Sequence, residues 1–301
     1  MIKKTLYFGN PAYLSVKDEQ LKVEMKDTGE ERTIPIEDIG VVLLDHYGVV
    51  ISQYAISALL ENNVAVIVCD KTHHPAGLLL TLSSHSIQEE LFSHQIAASL
   101  PLKKQLWQQT VQCKIKNQAM VLHQFGKNNE QLLYLAKEVT SGDSTNIEAR
   151  AARYYWDELF GKEFLRERFG MPPNNALNYG YAILRAVVAR SLVGSGLLPT
   201  LGIHHHNRYN AFCLADDIME PYRPYVDVLV KKLTERETIP EALTTALKKE
   251  LLAIPAMDIV INGEQSPLMI GMQQTTSSLA QCFTGEEKKI VYPEMVSSFI
   301  R

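Results

Sequence analysis

The sequence predicts an α+β fold: a small β-rich N-terminal domain (1–85) followed by a mostly α-helical C-terminal domain (86–301). Three observations carry this. Apolar and polar residues alternate through much of the first eighty positions, as half-buried strands require. From about position 86 apolar residues recur every three or four places, the period of a helix with one buried face. Finally, 46% of the 301 residues are hydrophobic, ample for a core in a chain of this length.

The strands come first. In TLYFGNPAYLSVKDEQLKVEM, turn residues stand at Gly9-Asn10-Pro11 and Lys17-Asp18, and Leu21, Val23 and Met25 alternate with Lys22 and Glu24. TIPIEDIGVVLLD is the expected hairpin partner after the turn Thr28-Gly29-Glu30. The apolar runs at 41–45 and 64–70 predict two more strands. Between them Ile51, Tyr54, Ala55, Ala58 and Leu59 share one helical face, so one helix is inserted there. Pro75-Ala76-Gly77 is expected to turn the chain into LLLTL.

The helices follow. SIQEELFSHQIAASL, LWQQTVQCKIKNQAMVLHQF and NEQLLYLAKEV carry the helical spacing. ALNYGYAILRAVVARSLVGSGLLP reads as a long apolar helix ended by Gly194, Gly196 and Pro199. PYVDVLVKKLTE, EALTTALKKELLAI and PLMIGMQQTTSSLAQCF complete the set.

Composition narrows the function classes. No apolar run approaches twenty residues, and MIKKTLYFGNPAYL lacks the apolar stretch of a signal peptide. A cytoplasmic protein without a membrane span is expected. Cys69, Cys113, Cys213 and Cys282 are scattered with no CxxC pair, which argues against a disulfide framework or a zinc ribbon. The net charge of -4 counts against nucleic acid for the chain as a whole, but a local basic face can hide within it.

Three segments can carry chemistry. In GDSTNIEARAARYYWDELF, Glu148 stands three residues after Thr145, the spacing of a capping box; the same carboxylate suits a metal, and Arg150 and Arg153 lie close by. GIHHHNRYNAF holds three successive histidines, either a solvated loop or a source of imidazole ligands. In LADDIMEPYRPYVD, Asp217 and Glu220 share a helical face at i, i+3, which is either an acidic surface or a pair of oxygen donors for a hard cation such as Mg2+ or Mn2+. Arg223 beyond them can neutralise the acids or meet a phosphate. Together carboxylate, imidazole and carboxylate make an open mixed site for phosphoryl chemistry.

EARAARYYW, NNALNYGYAIL, LGIHHHNRYNAFCLADDIMEPYRPYVD and SSLAQCFTGEEKKIVYPEM resemble the CRISPR-associated Cas1 proteins, the integrases of spacer acquisition, in the form that accompanies a Cas9 effector in type II systems. The resemblance implies Glu148, His205 and Glu220 as catalytic metal ligands for Mg2+ or Mn2+, with Asp217 as an accessory acid. It implies a homodimer, two of which are bridged by a dimer of the small Cas2 protein, acting with Cas9 and other type II adaptation proteins. The implied reaction joins the 3'-hydroxyl ends of a captured double-stranded DNA fragment, the protospacer, to the CRISPR repeat by transesterification. Arg153, Arg223 and Asn178 are the expected DNA contacts, and Tyr181 a packing residue. Within an extended histidine run, His204 and His206 are expected to face together and His205 away. The competing readings are a branched-DNA nuclease acting by hydrolysis, a non-catalytic DNA-binding scaffold, and a metallohydrolase for small molecules.

Overall fold

The structure, a computed structural model, describes residues 3–167 and 170–296. Its N-terminal part contains β1 (Lys4–Phe8), β2 (Ala12–Lys17), β3 (Gln20–Met25), β4 (Glu31–Pro35), β5 (Ile39–Leu44), β6 (Val50–Ile51), α1 (Gln53–Glu61), β7 (Ala65–Cys69) and β8 (Pro75–Leu79). Two four-stranded sheets result. In one, ordered β4-β3-β2-β6, the first three strands form an antiparallel meander with Leu14 opposite Val23 and Leu21 opposite Ile34, and β6 lies parallel to β2. In the other, ordered β1-β5-β7-β8, the first three strands are parallel and β8 is an antiparallel edge.

The apolar runs of β5 and β7 are nearly continuous because both faces are covered. Ile39 and Val42 belong to a core with Leu14, Leu21 and Leu59, whereas Val41 and Leu43 belong to the core of the helices.

Three local expectations change. TIPIEDIGVVLLD is not one strand: a tight turn at Ile36–Asp38 splits it between the sheets, after Pro35, which has no N–H for a ladder. Ile51 ends in β6, because Ser52 caps α1 by accepting a hydrogen bond from Ala55 N at 3.2 Å. The turn expected at 75–77 lies earlier, where Asp70 Oδ1 accepts from Thr72 N at 2.8 Å; Pro75 then opens β8 on the sheet edge.

The helices are α2 (Gln88–Ala97), α3 (Leu100–Gln124), α4 (Glu130–Glu138), α5 (Ile147–Phe160), α6 (Asn174–Gly194), α7 (Cys213–Met219), α8 (Arg223–Arg236) and α9 (Thr245–Leu251). A hairpin of β9 (Asp258–Ile261) and β10 (Glu264–Pro267) precedes α10 (Leu268–Thr284). This hairpin lies between two stretches expected to be helical and was not among the expected elements. Asn262-Gly263, with φ of 53° and 78°, is its turn, and only such left-handed residues let two strands reverse this tightly. The apolar α6 is the centre, packed against α7, α8, α10, β7 and β8, while α3 packs against α4, α5 and α8.

The core does not stop where strands give way to helices. Asp45, just after β5, is buried and meets Tyr7 Oη at 2.7 Å, His73 Nδ1 at 2.8 Å and, from α9, Lys248 Nζ at 2.8 Å. Burial opposes its charge, but the hydrogen bonds from Lys248, Tyr7 and His73 outweigh it and hold the carboxyl below its ordinary range. All four cysteines are free, with Cys69, Cys213 and Cys282 buried. Among the described residues no helix is long and apolar enough to cross a membrane.

Candidate metal centre

Glu148 enters the site at the start of α5, through an irregular turn. Gly142, Asp143 and Asn146 all have positive φ, which folds the chain so that Asp143 caps the helix. Its Oδ1 accepts from Ile147 N and its Oδ2 from Glu148 N, both at 2.9 Å. The cap is therefore Asp143, and the Thr145-x-x-Glu148 spacing is not used as a capping box. The Glu148 carboxylate turns instead to α3, where Oε1 accepts from Lys114 Nζ at 2.6 Å.

Glu220 begins the tight turn (Glu220–Tyr222) that joins α7 to α8. Its Oε1 accepts from Arg223 Nε at 2.7 Å, and its buried Oε2 lies 2.6 Å from Lys114 Nζ. That second contact is a buried ion pair. Two acids from separate elements thus converge on one ammonium. Burial opposes the charge on Glu220, but Arg223 and Lys114 outweigh it and hold the carboxyl well below its ordinary range. Burial also opposes the Lys114 charge, and Glu220 and Glu148 together raise its pKa above the ordinary lysine value.

The histidine loop hangs on Asp217, a fully buried acid of α7. Its carboxylate accepts from His204 N at 2.9 Å and His205 N at 3.2 Å, and meets His205 Nδ1 at 2.5 Å. The turn is tight enough that a Cβ on Gly202 would sit 2.3 Å from the His205 carbonyl oxygen, so only glycine fits there. With Nδ1 held by Asp217, Nε2 is the nitrogen left for a ligand. The hydrogen bond to Asp217 raises the His205 pKa, although burial works against it.

This tight turn overturns the alternation expected of an extended run. The rings of His204 and His205 both meet Trp107 of α3: His204 stacks flat with 4.1 Å between centroids, and His205 approaches edge-on at 5.6 Å. Burial, then the neighbouring His205, lowers the His204 pKa, which favours a neutral stacked imidazole.

Among the described residues no three His, Cys, Asp or Glu side chains converge closely enough to hold an ion together. What does converge is the pair Glu148 and Glu220. Two carboxylates already sharing one cation are suitable donors for a hard divalent ion. Asp217 is occupied by the histidine loop and acts as the holder of His205.

The expected DNA contacts are placed differently from one another. Arg223 is partly buried, spends its charge on Glu220, and lies 4.5 Å from the centroid of the Tyr181 ring. Arg166 stands 5.2 Å from the same centroid and donates to Asn178 Oδ1 at 2.7 Å. Arg153 is exposed on α5, about 140° around the helix from Glu148. Tyr181 is buried, as expected of a packing residue, and its hydroxyl donates to Asp227, which also accepts from Tyr155 Oη at 2.9 Å. Burial pushes the Asp227 carboxyl up to about 6 despite those bonds.

Lys114, Trp107 and Asp143 were missed in the sequence. The signal for Lys114 was its place on the buried stripe Trp107, Val111, Lys114, Ile115 and Gln118, since a lysine is almost never buried without a partner.

A family model described as CRISPR associated protein Cas1 matches residues 6–261. The chain is 36% identical over 299 residues to the CRISPR-associated endonuclease Cas1 of Neisseria meningitidis serogroup C (strain 8013), covering 98% of this chain and 97% of that relative. Among solved structures, it is similar to a casposase bound to integration product, with a TM-score of 0.80 and 19% identity over 100% of this chain and 96% of the other. It is also similar to a chain of a Cas6-RT-Cas1–Cas2 complex, with a TM-score of 0.74 and 19% identity over 98% of this chain and 36% of the other. At these identities the two structural likenesses show the fold.

Proposed function

This chain belongs to the CRISPR-associated Cas1 family, and from that premise we propose that it is a divalent-metal-dependent DNA endonuclease and integrase that inserts captured DNA fragments into the CRISPR repeat by transesterification. The observation that supports this most is the convergence of Glu148 Oε1 and Glu220 Oε2 on one cation, each 2.6 Å from Lys114 Nζ. When bound, Mg2+ or Mn2+ supplies Lewis acidity to a phosphoryl oxygen and to the attacking hydroxyl. Glu148 and Glu220 would hold the ion, and His205 would offer it Nε2. Asp217 fixes the tautomer and aim of that imidazole, and Arg223 offsets part of the negative charge on Glu220.

Direct in-line displacement by the DNA hydroxyl needs no covalent enzyme intermediate. The 3'-hydroxyl oxygen of the fragment bonds to a repeat phosphorus and gives its proton to solvent, while the bond from that phosphorus to the repeat's own 3'-oxygen breaks and that oxygen takes up a proton from solvent to leave as a 3'-hydroxyl.

The partners in this reading are double-stranded protospacer and repeat DNA, a second copy of the chain, and a Cas2 dimer bridging two such dimers. The endonuclease name of the Neisseria relative and the casposase and Cas1–Cas2 likenesses support DNA and Cas2 as partners. Cas9 and other type II adaptation proteins belong to the same proposal, as does a cytoplasmic location.

The test is an assay of the purified protein, with and without Cas2, on a protospacer duplex and a supercoiled repeat plasmid. Joined product should form in Mg2+ or Mn2+ and disappear in EDTA. Nicking without joining would make the chain a hydrolytic nuclease, and DNA binding with neither would make it a scaffold.

A further inference from the structure

Lys114 reaches the carboxylate pair from the middle of α3, and only 9% of it is exposed. Its ammonium lies 2.6 Å from Glu148 Oε1 and 2.6 Å from Glu220 Oε2. A magnesium ion would need carboxylate oxygens at about 2.0–2.1 Å. An ion that close to both acids would share their space with the ammonium, and two unscreened cations at such a separation repel strongly. Ammonium and metal therefore exclude one another.

We propose that Lys114 is the resident counter-ion of this site: it holds Glu148 and Glu220 together in the metal-free protein and leaves them when the divalent ion enters. The inference rests on the metal-dependent reading above. Three features support it. Two carboxylates sharing a buried site repel unless a cation lies between them, so the metal-free protein needs one. Glu220 keeps the Arg223 hydrogen bond on its other oxygen, at 2.7 Å, so it is not left without a cation when the lysine moves. The lysine's flexible four-carbon stem can swing aside.

The test is Mn2+ binding followed by electron paramagnetic resonance, with thermal unfolding read in parallel, on wild type, Lys114→Met and Glu220→Gln. Removal of the competitor should tighten the apparent Mn2+ affinity of Lys114→Met by roughly ten-fold or more. Its metal-free midpoint should fall, and Mn2+ should raise it further than in wild type. If Glu220→Gln binds Mn2+ as well as wild type does, the metal site itself is misplaced and the inference falls with it. If Glu220→Gln loses binding while Lys114→Met keeps wild-type affinity or binds more weakly, the metal site stands and the exchange is wrong.

Should Lys114→Met fail to fold even with Mn2+, the wild-type protein decides. Mn2+ should raise the labelling of Lys114 by an amine-acylating reagent several-fold, read by peptide mass spectrometry, and should not do so in Glu220→Gln. Unchanged labelling of wild type would overturn the proposal.

Discussion

Replacing Glu148 by alanine is expected to lower the rate of DNA joining by at least about 1000-fold while leaving the fold intact, because a site that stabilises developing charge loses one of its two converging carboxylates. The same loss is expected for Glu220→Ala, but with a second effect. The Glu220 side chain is 7% exposed against 22% for Glu148, and it pairs with both Lys114 and Arg223. Its removal leaves two cations, one buried and one largely so, with a single acid between them, and breaking such a buried pair costs about 3–5 kcal/mol. Single-turnover joining and urea unfolding, measured on both variants, separate the effects. A folded Glu148→Ala protein that joins DNA within ten-fold of wild type would remove that residue from the site.

The second large effect concerns the histidine loop. His205→Ala should abolish joining, since the imidazole that Asp217 aims is lost. Asp217→Ala should cost about 10–100-fold, the usual penalty for removing the group that orients a ligand. Asp217→Asn gives a sharper readout. The Asp217 hydrogen bond is the main cause of the raised His205 pKa. A protonated Nε2 cannot bind an ion, so joining should fall as the pH drops through that raised value. With the acceptor charge removed, this acid limb should move to lower pH. His206→Ala should leave most activity. His204→Ala loses the stack on Trp107, worth about 0.5–1.5 kcal/mol, so a fall of roughly ten-fold is the most expected. Loss of activity in His204→Ala and His206→Ala with full retention in His205→Ala would reverse the assignment.

The sequence carried the class of fold because its two periodicities are the direct imprint of one-sided burial. The alternation in β3 and the spacing along α3 and α4 needed no tertiary information. What stayed hidden was decided by partners distant in the chain. The run through Ile39–Leu44 could not show that it divides between two cores, since a strand covered on both faces has no polar side. The β9–β10 hairpin announced itself only in Asn262-Gly263, between stretches that read as helical. At the site, the acids and the histidine were marked by residue type and spacing. Their surroundings were not: Asp143 caps α5 from outside the expected motif, and Lys114 meets Glu220 across more than a hundred positions. The histidine run misled for a physical reason, because two backbone N–H groups bonded to Asp217 wind it into a turn.

The central claim is that Glu148 and Glu220 hold the divalent ion used for joining. A crystal of the protein grown in Mn2+ and measured near the manganese absorption edge tests it most directly. One anomalous peak is expected within bonding distance of both carboxylates and of His205 Nε2, with the Lys114 ammonium moved off them. A peak elsewhere, with Lys114 still bridging the two acids, would contradict it.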